Sequence, residues 1–177
     1  MKQFTIRNTG RFMTALLSDK ETVFDHFLLN EAVIATGNTF TVDGHINREF
    51  YSREELEELR LKTSSRGMVF DENLVRWESV KGYCYSCIKG KKVPLSFRMT
   101  LCLPPEELEG VVSSSDSSVD PGAVNSLNVN IRYDGGTLTC TTAVSLKIFT
   151  TDRSIDRAWD ESFEAFLNTH GYDHDTD

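Results

Sequence analysis

A chain of 177 residues with 39% apolar, 26% charged and 10% aromatic side chains holds enough apolar material for one packed core, which excludes a disordered or fibrous protein. A formal net charge of -8 excludes the uniformly basic surface of a non-specific nucleic-acid binder. No run approaches the roughly 18 consecutive apolar residues of a membrane-spanning helix, and the opening MKQFTIRNTG has no apolar signal-peptide block, so the expectation is a cytoplasmic protein with no membrane partner.

In chain order, QFTI reads as a short strand, and Asn8 or Thr9 caps a helix whose apolar stripe is Phe12, Met13, Leu16 and Leu17. HFLLNEAVIAT and NTFTVDGHI flank Gly37-Asn38, a pair that tolerates positive φ, and together predict a β-hairpin. YSREELEELRLK opens with Ser52 and Glu55 in capping-box register and has few apolar positions, which makes it a surface helix. After a loop at 63–73, a helix is predicted over 74–90, with Trp77, Val80, Cys84, Cys87 and Ile88 on its buried stripe.

PLSFRMTLCL alternates as a strand with Leu95, Phe97, Met99, Leu101 and Leu103 on one face. Pro104-Pro105 starts a short helix through Leu108, Val111 and Val112. The polar run at 113–123 reads as a flexible loop. LNVNIRY and TLTCTTAV flank DGG as a second hairpin, and a closing helix carries Ile155, Trp159, Phe163, Phe166 and Leu167, ahead of an acidic tail at 172–177.

The order strand, helix, hairpin, helix thus occurs twice, and GNTFTV in the first half echoes GGTLTC in the second. The expected architecture is α+β, an antiparallel sheet with helices packed on one face. It forms a single compact domain of two similar halves, about 1–62 and 93–171, joined by the loop 63–73 and the helix 74–90.

Three groups of residues carry candidate chemistry. Asp43 and His45 point the same way from one strand, as two ligands of a metal would, and Glu31 or His26 could complete such a site only if the fold brought them across the hairpin. The opposing reading, which we favour, is a solvated strand end turning at Asp43-Gly44. Cys84-x-x-Cys87 has the spacing of a zinc or redox pair, but its place on a helical stripe favours packing.

Charge is uneven: Arg76 to Arg98 holds six basic residues and one acidic, whereas Asp152 to Asp177 holds two basic and eight acidic. In the basic island, Lys89, Lys91 and Lys92 lie beside Tyr83, Tyr85 and Phe97, a mixture suited to an anionic or nucleic-acid ligand; favourable charge at a helix C-terminus accounts for the same residues and is preferred. No phosphate-binding loop, dinucleotide glycine fingerprint, nucleophile elbow or H-E-x-x-H is present.

The strings DHFLLNEAVIATGNTFTVDGH, KGKKVPLSF and YDGGTLTCTTAVSLK, with the aromatic closing helix, resemble an uncharacterised bacterial domain family of about this length. That resemblance implies a cytoplasmic bacterial protein and carries no activity or catalytic residue with it. In architecture alone, two copies of strand, helix and hairpin look like the half-domains of sliding clamps and of the TATA-binding-protein class.

The reading that results is a small non-enzymatic module that binds a protein partner or itself through hairpin edges, with no metal or cofactor. Two alternatives stay open: a metal-dependent enzyme or metal-binding protein using Asp43 and His45, and a clamp-like nucleic-acid-associated protein using the three lysines.

Overall fold

The computed structural model describes all 177 residues, Met1–Asp177. The strands are β1 (Gln3–Ile6), β2 (Leu28–Ala35), β3 (Thr39–Asp43), β4 (Ser96–Cys102), β5 (Val124–Asp134), β6 (Thr137–Leu146) and β7 (His174–Thr176). The α-helices are α1 (Thr9–Leu17), α2 (Arg53–Ser65), α3 (Trp77–Ile88), α4 (Pro105–Ser114) and α5 (Ser154–Thr169). One seven-stranded sheet forms in the order β3-β2-β4-β5-β6-β1-β7, and every neighbouring pair is antiparallel.

The period-two pattern of the strands decides which face is covered. Phe4, Cys140, Ile131, Met99 and Ala32 stand opposite one another on successive strands and are fully buried. A single cluster of 29 buried apolar residues draws on β1, β2, β4, β5 and β6 and on α1, α3, α4 and α5, so both halves of the chain share one core. The other face is polar, carrying Arg98, Arg132, Asn130, Thr139, Thr141 and Gln3 in cross-strand register. The α+β class and the helices on one face are therefore as expected.

Helix ends follow local chemistry. The Asn8 side chain accepts from the backbone N–H of Arg11 at the start of α1. At α2 the capping box is complete: Glu55 N–H donates to Ser52 Oγ at 3.2 Å and Ser52 N–H to Glu55 Oε2 at 2.7 Å. In α5, Ile155, Trp159, Phe163 and Leu167 fall every fourth residue and are all buried. The indoles of Trp77 and Trp159 are satisfied inside the core by the carbonyls of Leu16 and Asn128, at 2.7 and 2.8 Å.

Several expectations are corrected. The helix predicted from residue 74 begins at Trp77, because the backbone before it is used in extended pairing: Leu29 N–H donates to Val75 O and Val75 N–H to Gly44 O. Leu95, placed by alternation on the core face, lies before β4 and is 72% exposed. The Gly37-Asn38 turn uses no positive φ, whereas Gly135 and Gly136 between β5 and β6 both do, at 56° and 87°. The polar segment 113–123 is partly helical, with α4 reaching Ser114 and a short 3-10 turn at Pro121–Ala123.

The acidic tail is a strand. β7 pairs with β1 through Phe4↔Thr176, Thr5↔Asp175 and Ile6↔His174, and Arg7 pairs with Asp175. The repeated order of elements is present along the chain, but it does not give the two halves equivalent places. β1 lies outside the second hairpin, next to β6, while its counterpart β4 lies between the two hairpins.

Candidate functional site

Asp43 ends β3, and its Oδ1 accepts from the backbone N–H of His45 at 3.0 Å and meets His45 Nδ1 at 2.6 Å. The backbone bond and then the side-chain bond from His45 hold the Asp43 carboxyl below the usual carboxylate range. Both side chains are exposed, and together they close a turn. Glu31 stands opposite Asp43 on β2, with its carboxylate 3.3 Å from Arg98.

His26 lies elsewhere, its ring centred 4.5 Å from that of Phe27 and its Nε2 3.6 Å from Glu107 of α4. No group of three His, Cys, Asp or Glu side chains converges tightly enough to hold a metal ion. The residue between Asp43 and His45 has the strictest role in this stretch: a Cβ at Gly44 would stand 1.9 Å from the carbonyl oxygen of Leu29.

Cys84 and Cys87 are free thiols on α3, the first buried and the second half-buried. Burial pushes the Cys84 thiol up to about 12, and does the same to Cys102. Cys140, wholly enclosed under the sheet, is pushed up further. Three of the four thiols are thus packing groups.

The basic island divides in two. Arg76 is buried and bonds the carbonyls of His26 and Val69 and the carboxylate of Glu106, at 2.7, 2.7 and 2.6 Å. Lys81, also buried, reaches Asp25 at 2.6 Å and the carbonyls of Ser18 and Glu21 at 3.1 and 2.7 Å, pinning the 18–27 connection to α3. Neither role was read from the sequence; the available signal was that Lys81 falls between Trp77 and Cys84 on the same helical face. Lys89, Lys91 and Lys92, by contrast, are exposed and make no ion pair.

These three lysines occupy the turn from Ile88 to Val93, and both of those residues line a groove of about 560 Å³ between α1 and α3. Met13 and Leu17 form the α1 wall, Tyr85 and Ile88 the α3 wall, and Val93 and Pro94 the rim. Phe97 and Tyr133, stacked at 5.4 Å with an interplanar angle of 13°, lie on the sheet side. Lys20 and Asp19 stand at the end beyond α1. The groove has the size and apolar lining of a ligand-binding cleft. Sequence reasoning noticed Tyr85 and Phe97 beside the lysines but not the groove, because α1 and α3 are separated by about sixty residues of chain.

The fold and site define an α+β protein with one open antiparallel sheet and an apolar, lysine-bordered groove in its helical layer. The chain belongs to the family of unknown function DUF5721, which matches residues 16–175, from the second half of α1 into β7. No curated protein and no solved structure matches it. No helix is long and apolar enough to cross a membrane.

Proposed function

We propose that the protein is a non-catalytic binding module of the bacterial cytoplasm, whose binding surface is the groove between α1 and α3. Its ligand is a segment of a protein partner that inserts apolar side chains and carries acidic residues beside them. The carrying observation is the combination of apolar walls with Lys20 at one end and the exposed Lys89, Lys91 and Lys92 in the turn between the groove residues Ile88 and Val93, none of the four with an ion-pair partner. Exposed Tyr83, Tyr85, Val93 and Leu95 extend the apolar surface around the same turn. Unpaired lysines at a rim favour an acidic partner and speed its encounter.

The test is a photo-crosslinking side chain at Tyr85 in the full protein, expressed in the cells that make it. A discrete adduct is expected, lost on Leu17→Glu and weakened when Lys89, Lys91 and Lys92 are all changed to Glu. An adduct indifferent to both changes, or none at Tyr85, overturns the reading.

A further inference from the structure

The two hairpins present different edges to solvent. β5 and β6 are both enclosed, between β4 and β1, whereas β3 has a neighbour only on its β2 side. In an antiparallel pair the N–H and C=O of one residue point to the same side, and successive residues alternate. Gly44 N–H donates to Asn30 O on β2, so Val42 and Phe40 also bond inward, and Thr39, Thr41 and Asp43 turn their backbone groups outward. Exposed edges of this kind are normally guarded by Lys, Pro, a bulge or extreme shortness.

The opposite edge, β7, is guarded: it has three residues and carries Asp175, next to Asp177. The β3 run Thr39-Phe40-Thr41-Val42 has no charge and no proline, and Phe40 is 40% exposed at the margin of the core face.

We propose that β3 pairs with β3 of a second copy, antiparallel about a two-fold axis through Thr41, joining two seven-stranded sheets into one. A two-fold about Thr41 satisfies the outward groups of both strands with about six hydrogen bonds. It places Thr41 opposite Thr41, Phe40 opposite Val42 on the core face, and Asp43 opposite Thr39. The one charged side chain of the strand therefore never meets its own copy, and the half-exposed Phe40 ring is covered. β3 shares no residue with the groove, so this inference and the groove reading stand or fall separately.

The register makes the test specific. Native mass spectrometry and sedimentation over about 1 to 500 μM protein are expected to show a monomer–dimer equilibrium. Thr39→Lys, which sets a lysine against Asp43 twice in the dimer, tightens dimerisation between about 2- and 30-fold, and Thr39→Asp loosens it by a similar factor. Thr41→Pro removes an N–H that has no bond within the monomer, and abolishes the dimer while the monomer keeps its unfolding midpoint. If Thr41→Pro misfolds, the opposed Thr39 pair still decides. Monomer at every concentration, or a dimer that ignores the charge at residue 39, overturns the proposal.

Discussion

Gly44→Ala should be one of the most damaging single-methyl additions available in this protein. The new Cβ would lie 1.9 Å from Leu29 O and 2.6 Å from Leu29 C, both backbone atoms, so no side-chain rotation relieves the clash. The strands must part by about 1 Å or more, which forfeits favourable contact around the site. That movement strains Gly44 N–H···O Asn30 and Val75 N–H···O Gly44, both 2.9 Å. Two hydrogen bonds contribute about 1 kcal/mol each, overpacking costs about 1–3, and the lower entropy of an unfolded alanine returns about 0.4–1.

The net loss is about 2–4.5 kcal/mol. With a urea dependence of about 2 kcal/mol/M, the unfolding midpoint read by tryptophan fluorescence falls by about 1–2 M. Gly82→Ala is the internal control, since Gly82 is an exposed residue of α3 with nothing within 4 Å of an added Cβ. It should stabilise by about 0.8–1 kcal/mol through helix propensity. A Gly44→Ala midpoint within error of wild type, or two glycines that respond alike, would refute the crowded approach of β3 to β2.

Lys81→Met leaves Asp25 and two carbonyls without their cation and should cost about 3–5 kcal/mol; Lys81→Met/Asp25→Leu should lose less than the single change, and simple additivity in denaturation would remove the pair from the account. Burial lowers the pKa of His26 from its ordinary 6.5, against Glu107 which raises it, with Arg76 also lowering it and Glu106 and Asp25 raising it. The unfolded chain then takes up the proton first, so stability falls as pH drops through 6.5 and levels off only below the folded value. His26→Gln should flatten the urea midpoint between about pH 7.5 and 5.5, and an unchanged slope would contradict this. Of the four thiols, only half-buried Cys87 should react quickly with a disulfide reagent at about pH 8 in the native state, all four reacting in urea; two fast thiols would revive Cys84-x-x-Cys87 as a reactive pair.

The groove lies in the helical layer, and the β3 edge lies at one end of the sheet. α1 and α3 are both anchored from below, by Phe12 and Leu16 on one side and Trp77 and Cys84 on the other, so the groove between them has firm walls. α2 is the opposite case: it buries no residue and is tied to the rest of the fold by ion pairs, Arg60 with Glu72 at 2.8 Å and the C-cap residue Arg66 with Glu78. Exposed pairs of this type contribute little and are screened by salt.

Most of what repeats over a few residues was legible in the chain itself. The capping box at Ser52 and Glu55, the alternation of Phe97, Met99 and Leu101, the stripe of α5 and the strand pairs of both hairpins follow from periods of 3.6 and 2, and the Gly135-Gly136 turn from local turn chemistry, all of which act between neighbours. Tertiary pairing decided the rest. Leu74 to Arg76 became extended because β2 and Gly44 claimed the backbone hydrogen bonds that a helix would have used, and Asp173 to Asp177 became ordered because β1 had an open edge. The candidate residues divide the same way: Asp43 and His45, two apart in sequence, find each other, and the hairpin register sets Glu31 opposite Asp43 with its carboxylate toward Arg98, whereas His26 lies beside Glu107 of α4, away from the hairpin. The groove joins residues from Thr9 to Tyr133, and its walls exist only because the sheet brings α1, α3 and β4 together, a long-range closure that no local period encodes.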